Sequence, residues 1–220
     1  MWSGEGRWWR GVWMLLLSLC LGMGGVVGPA MAHEEPRASG GTQEPFLAVT
    51  PRLSVIKPAP DFALLDPAGR GVQLSALRGR VVLLSFVYTD CSAACPLLTQ
   101  QMARLQTRLK EAGIRAHGVH FLSVTVDPGR DSADTLSRYA THFAVDLGQW
   151  QFLREEPERL APVLSAYDEW RRPLANGDID HPARLYLIDQ QGRIREIYSL
   201  AFFDERQAFL DIQVLLQEPQ

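Results

Sequence analysis

The sequence has few cysteines and methionines beyond its first 32 residues, no surplus of basic charge and no internal repeat. Its 22 Lys and Arg against 25 Asp and Glu give a formal net charge of −3, which disfavours a nucleic-acid partner. The absence of a recurring block of roughly 20–50 residues excludes a repeat architecture. A hydrophobic fraction of 46% is too apolar for a disordered chain. These totals leave one globular domain with extensions, or two small domains.

The first 32 residues have the features of an export signal. Arg7 and Arg10 precede an uncharged apolar run, residues 11–27, and Ala30-Met31-Ala32 has the small-x-small form of a signal peptidase site. The run is short for a transmembrane helix. We therefore predict a signal peptide, residues 1–32, cleaved after Ala32, with an uncleaved membrane anchor as the alternative. In either case the body of the protein is expected in the periplasm.

The remainder divides into a linker and one domain. Residues 33–57 are rich in Pro and Gly and low in hydrophobicity, which is typical of a flexible linker. From residue 58 to residue 220, apolar runs typical of strands alternate with helical periodicity, which predicts an α/β fold with a central sheet and helices on both faces. The predicted strands are 62–65, 81–87, 121–126, 150–152, 185–188 and 194–198; the predicted helices begin at Pro96, at 131 or 132, at 156 and at 204, and residues 169–182 form a polar loop.

Cys91 and Cys95 are the two cysteines that remain after removal of the leader. In an oxidising compartment such a pair is a redox disulfide or a metal site, whereas a structural disulfide over so short a loop would constrain little of the unfolded chain. The pair joins a buried strand to a helix that Pro96 begins. Because the start of a helix favours anions, we expect the thiolates to be stabilised there. Two thiolates select soft ions such as Cu(I), or zinc.

A two-thiolate site needs a further ligand, and His181 is the best candidate. It ends the polar loop just before the strand at 185–188, from which it could reach over the sheet edge toward the cysteines. Asp90 and Asp180 adjoin these candidate ligands and could orient His181. The other four histidines are better explained as a solvated terminus or as surface, strand-edge and helix residues: His33, His117, His120 and His142.

The segment Asp127-Pro128-Gly129-Arg130-Asp131 follows another buried strand. Its residues are turn formers and helix caps, so a turn that caps the next helix is the favoured interpretation. A partner-binding or ligand-orienting site is the alternative.

Four ordered motifs over residues 58–200 resemble the Sco/SenC copper proteins, which help to assemble the copper centres of cytochrome c oxidase. The motifs are Thr89-Asp90-Cys91-x3-Cys95-Pro96, Val124–Asp131, Asp180-His181, and Leu185–Asp189 followed by Gly192-Arg193. The resemblance implies a thioredoxin-like fold, an extracytoplasmic location and often a membrane tether. It also implies that Cys91, Cys95 and His181 are the copper ligands.

The resulting hypothesis is a periplasmic copper metallochaperone rather than an enzyme. It would bind one copper per chain, as Cu(I), Cu(II) or both, and deliver it to the copper-accepting subunit of cytochrome c oxidase.

The alternative is a thiol-disulfide oxidoreductase that uses Cys91 and Cys95 as a redox disulfide to reduce acceptor cysteines, with a thiol reductant as a further partner. Pro182 favours this alternative if it is the cis-proline that faces the cysteines in thioredoxin relatives. A peroxidase is disfavoured, because peroxiredoxin sites place a threonine three residues before the reactive cysteine and Thr89 is only two before Cys91.

Overall fold

A computed structural model describes residues 53–92 and 94–219, which belong to one compact unit. Its strands are β1 Lys57–Pro58, β2 Ala63–Leu65, β3 Gly71–Gln73, β4 Val81–Val87, β5 Val119–Thr125, β6 Trp150–Leu153, β7 Arg172–Pro173, β8 Ile179–Asp180, β9 Arg184–Ile188 and β10 Arg193–Ser199. Its α-helices are α1 Ala94–Glu111, α2 Ala133–His142, α3 Pro157–Ala166 and α4 Glu205–Gln217.

A six-stranded mixed sheet forms the centre of the unit, in the order β1-β10-β9-β4-β5-β6. Strands β4, β5 and β6 are parallel and are connected through α1 and α2, whereas β9 is antiparallel to both β4 and β10. Every residue of β4 and β5 is buried, as expected for parallel strands that are covered on both faces. The predicted α/β architecture is confirmed.

Helix α1 follows the cysteine loop and packs on the sheet through one apolar stripe. Its residues Leu98, Met102, Leu105 and Leu109 recur at helical spacing and are almost wholly buried. The chain leaves the helix through Gly113, whose φ of 78° favours glycine. The helix begins at Ala94, two residues earlier than predicted, so Cys95 lies in its first turn.

The direction of the strands brings three loops to one edge of the sheet. The loops after β4 and β5 lie at the carboxyl ends of two parallel strands. Because β9 is antiparallel to β4, with Ser85 paired to Leu185, the amino end of β9 lies at the same edge. The segment that carries His181 therefore meets the segment that carries the cysteines.

The structure leaves the predicted leader undescribed and changes three predictions, on the linker, the polar loop and Pro182. The predicted leader, residues 1–32, and linker residues 33–52 lie outside the described residues. Residues 53–57, which were also assigned to the linker, instead belong to the folded unit, since Leu53 packs against the core and Lys57 pairs with β10. The polar loop contains a small hairpin, in which β7 pairs with β8. Through residues 53–92 and 94–219 every peptide bond is trans, so the cis-proline interpretation of Pro182 is wrong.

No helix among those described is long and apolar enough to cross a bilayer.

Candidate metal centre

Cys91 and Cys95 lie together at the start of α1. Cys91 is half-buried and its Sγ accepts a hydrogen bond from the Cys95 N–H at 3.3 Å, so the sulfur caps an unsatisfied amide of the first turn. Cys95 is 2% exposed. No disulfide joins Cys91 to Cys95 in this structure.

The Cys95 thiol is harder to ionise in this arrangement than an ordinary cysteine. Its pKa is raised, first by the hydrogen bond with Cys91 and then by burial. The raised pKa contradicts the expectation of a stabilised thiolate at Cys95, because the hydrogen bond with Cys91 and desolvation both oppose ionisation.

His181 reaches the cysteine pair across 86 positions of sequence. Its Nε2 lies 3.6 Å from the Cys95 Sγ. Burial lowers the pKa of His181, which favours the neutral imidazole, the form that binds a metal. The structure thus brings together the three predicted ligands, and it does so in pairs: Cys91 with Cys95, and Cys95 with His181.

The three side chains suit a soft metal but do not form a closed chelate. Within the described parts of the chain, no group of three or more His, Cys, Asp or Glu side chains has the arrangement of a metal site. A metal would have to draw the sulfurs and the imidazole closer together. Beside them is an open pocket of about 250 Å³, lined by Tyr88, Cys91, Ser92, Ala94, Leu174 and residues 178–181. An incoming ligand could therefore reach Cys91 and His181 from outside, while Cys95 lies beneath.

Asp90 and Asp180 bind arginines rather than His181. Asp90 is exposed and forms an ion pair with Arg130 at 3.0 Å. Asp180 forms an ion pair with Arg172 across the hairpin and acts on His181 through its charge, which opposes the lowering of the His181 pKa. That either aspartate orients the imidazole stays a prediction.

Asp131 has a role that neither interpretation of its motif anticipated. Ser132, not Asp131, caps α2 by accepting from the Thr135 N–H. The Asp131 carboxylate is fully buried and accepts from the N–H and hydroxyl of Thr89 and from the hydroxyl of Thr125. It therefore ties the segment just before Cys91 to the end of β5.

Arg130 adds a second connection between the same two loops. It binds Asp127 and Asp90, and its guanidinium lies 5.8 Å from the centre of the Tyr88 ring. The motif thus holds the cysteine loop from outside. In the sequence, the only sign that this motif holds the cysteine loop is its position directly after a predicted strand.

The remaining histidines that the structure describes lie away from the site or on the surface. His120 was expected at a surface or strand edge, but it is buried in β5 and its Nε2 pairs with Gln151 at 2.9 Å. His142 is exposed at the end of α2.

Comparison with known families places the chain in one of them. The SCO1/SenC family model matches residues 54–217, three quarters of the sequence. The chain belongs to the SCO1/SenC family. Its members include a SCO1 protein homolog of Bacillus subtilis, which is 29% identical over 142 residues, or 63% of this chain and 72% of that protein.

Solved Sco structures share the fold. ScoI of Bradyrhizobium japonicum, solved with copper bound, is 26% identical, with a TM-score of 0.57 over 71% of this chain and 98% of its own. BsSco, described as having a disulfide switch and as a member of the Sco family of cytochrome c oxidase assembly proteins, is 22% identical, with a TM-score of 0.66 over 76% and 99%. The thioredoxin-like fold is confirmed, and Sco proteins as a family take part in assembling the copper centre of cytochrome c oxidase.

Proposed function

We propose that this protein is a periplasmic copper metallochaperone that delivers copper to the copper-accepting subunit of a cytochrome c oxidase. The observation that carries the proposal is the contact of the Cys95 Sγ with the His181 Nε2 at 3.6 Å, beside Cys91. Two sulfurs and an imidazole, from positions far apart in sequence, meet at one edge of the sheet. The copper-bound state of ScoI from Bradyrhizobium japonicum supports the choice of metal.

Copper is the cargo in this proposal, one ion per chain. The sulfurs of Cys91 and Cys95 suit Cu(I), and the imidazole of His181 adds tolerance for Cu(II). Because a hydrogen bond with Cys91 and burial raise the pKa of the Cys95 thiol, copper loading would release a proton from it. The open pocket beside Cys91 and His181 lets an acceptor's ligands approach and exchange for those of the chaperone.

The periplasmic location rests on the leader, residues 1–32. The test is the mass of the protein recovered from a periplasmic extract. A mass equal to that of a chain that begins at His33 supports cleavage after Ala32, whereas an intact chain in the membrane fraction supports the anchor.

Copper loading is tested on fully reduced protein with one equivalent of Cu(II), added without oxygen. We expect one bound copper per chain and an intense visible sulfur-to-copper absorption band, both altered in His181→Ala and lost in Cys91→Ser. His142→Ala removes an exposed histidine and is the matched control. A spectrum that His181→Ala leaves unchanged would contradict the three-ligand site.

A thiol-disulfide oxidoreductase is the second candidate, and the half-buried Cys91 above a buried Cys95 favours it. The Cys91 thiolate would attack an acceptor disulfide and release one acceptor thiolate. Cys95 would then lose its proton and attack Cys91, releasing the second. The acceptor gains two electrons, Cys91 and Cys95 form a disulfide, and a thiol reductant restores them. Disulfide formation without a copper band in the loading experiment would favour this activity.

A further inference from the structure

Tyr88 is a side chain that touches both halves of the candidate centre. It follows the last residue of β4, three positions before Cys91, and it is 2% exposed. Its hydroxyl lies near the Cys91 thiol, with which it interacts. The same hydroxyl accepts from the Ile179 N–H at 3.2 Å and lies 3.5 Å from the Asp178 carboxylate, both in the segment that leads to His181.

The ring of Tyr88 also contacts His181 directly. The two rings meet edge to face, with centroids 5.7 Å apart and planes at 71°. Arg130 covers the Tyr88 ring at 5.8 Å. The ring is therefore held in place by the neighbouring loop as well as by burial.

The hairpin that precedes His181 is too small to hold its own position. It has two residues in each strand, with Arg172 paired to Asp180 and Pro173 paired to Ile179. Hairpins are marginal in water even at greater length, so contacts with the rest of the fold decide where this one lies. Ile179 is 6% exposed, and the partner of its N–H is the Tyr88 hydroxyl. An unsatisfied buried amide is costly, which favours this hydrogen bond.

We propose that the Tyr88 hydroxyl is a positioning group that holds the hairpin so that His181 stays within reach of Cys95. The inference rests on the proposed copper function and names a residue that determines how firmly the third ligand is presented. Because imidazole contributes more to Cu(II) than to Cu(I), whereas the sulfurs hold Cu(I), loss of the hydroxyl weakens Cu(II) binding selectively.

The test is Tyr88→Phe, which removes one oxygen and keeps the ring, its packing and its contact with His181. We expect Cu(II) affinity to fall about tenfold, as is typical when a group that supports a metal ligand is removed, with a much smaller change for Cu(I). We also expect faster hydrogen exchange of the Ile179 amide in metal-free protein, with the amides of β4 unchanged. The matched control is Tyr198→Phe, which removes the hydroxyl of a half-buried tyrosine that donates to Asp211 at 2.7 Å, away from the centre.

Three results would overturn the proposal. The first is unchanged Ile179 exchange in Tyr88→Phe. The second is an equal loss of Cu(I) and Cu(II) affinity, which would place the effect on Cys91 rather than His181. The third is an equal loss of Cu(II) affinity in Tyr198→Phe, which would indicate general destabilisation. Should the unmodified protein bind no copper, the proposed function fails, while the Ile179 exchange still supports or refutes the anchoring of the hairpin.

Discussion

At the scale of single residues, the two cysteines differ in exposure, and a hydrogen bond with Cys91 and burial raise the pKa of Cys95. Cys95 lies in the first turn of α1, where a thiolate would gain from the helix dipole, yet it is 2% exposed and in contact with a second sulfur. Cys91 is half-buried at the edge of the pocket. The two thiols therefore differ in access to solvent, and ionisation of Cys95 is disfavoured.

This difference predicts the order of alkylation. Under native conditions iodoacetamide should modify Cys91 well before Cys95, because the reagent needs an accessible thiolate. Mass spectrometry of the modified peptides measures the ratio over time. In denaturant the two should react at similar rates, which is the control. Equal rates in the folded protein would mean that Cys95 is not shielded.

Asp131 is the residue whose removal should most disturb the cysteine loop. In Asp131→Ala the Thr89 N–H and two hydroxyls lose their buried acceptor, so we expect a loss of about 2–3 kcal/mol in the free energy of unfolding. Chemical denaturation measures it. Asp134→Ala, the same change at an exposed position in the first turn of α2, should cost less than about 1 kcal/mol. Equal losses would show that Asp131 acts only as a charge near the helix.

At the scale of elements, the buried carboxyl of Glu169 links the loop after α3 to β9. The Tyr186 hydroxyl lies 2.6 Å from the Tyr167 carbonyl and 2.7 Å from the Glu169 Oε1. A hydroxyl has one hydrogen, and a carbonyl can only accept it, so both contacts are satisfied when protonated Glu169 donates to Tyr186. Burial raises the pKa of Glu169 to about 7, although Arg184, 3.8 Å away, opposes the shift.

The raised pKa of Glu169 predicts a pH dependence of stability. Between its ordinary value of 4.5 and about 7 the folded protein keeps a proton that the unfolded chain has lost, so this group's contribution to stability falls as the pH rises through that window. The loss amounts to at most about 3 kcal/mol. Glu169→Gln keeps a donor toward Tyr186 and should remove this component, as measured by denaturation from pH 4 to 8.

Glu158→Gln is the matched control for that series, since Glu158 is exposed in the first turn of α3. Its pH profile should follow that of the unmodified protein. If Glu169→Gln gave the same slope as the unmodified protein, the carboxyl would not be the titrating group.

At the scale of the whole molecule, the proposed cargo should stabilise the fold. A metal that binds the folded protein and not the unfolded chain raises the free energy of unfolding by about 2.7 kcal/mol at a free concentration of 100 times Kd. We expect the melting temperature of the reduced protein to rise with copper, to rise less in His181→Ala, and not to rise in Cys91→Ser. A rise that survives in Cys91→Ser would place the copper elsewhere.

Local pattern was enough to predict most of the elements. The apolar run at 81–87 coincides with β4, and Ser132 and the periodicity after it correspond to α2. These features depend on neighbours within a few residues, which the sequence shows directly. The hairpin at 172–180 was missed because two short polar strands carry no hydrophobic alternation, and its place depends on Tyr88, 91 positions from Ile179.

The cysteine pair, its place between a buried strand and a helix, and the family resemblance could all be read from the order of residues. The order of residues could not show that His181 contacts Cys95, that Asp131 binds Thr89 or that the pKa of Cys95 is raised. The first two depend on distances between segments far apart in the chain, and the third on a hydrogen bond with Cys91 and on burial. The contact of His181 with Cys95 follows from the antiparallel pairing of β9 with β4, and that of Asp131 with Thr89 from the parallel pairing of β4 with β5. Burial and proximity then shift the pKa of each group from the value that its residue type sets.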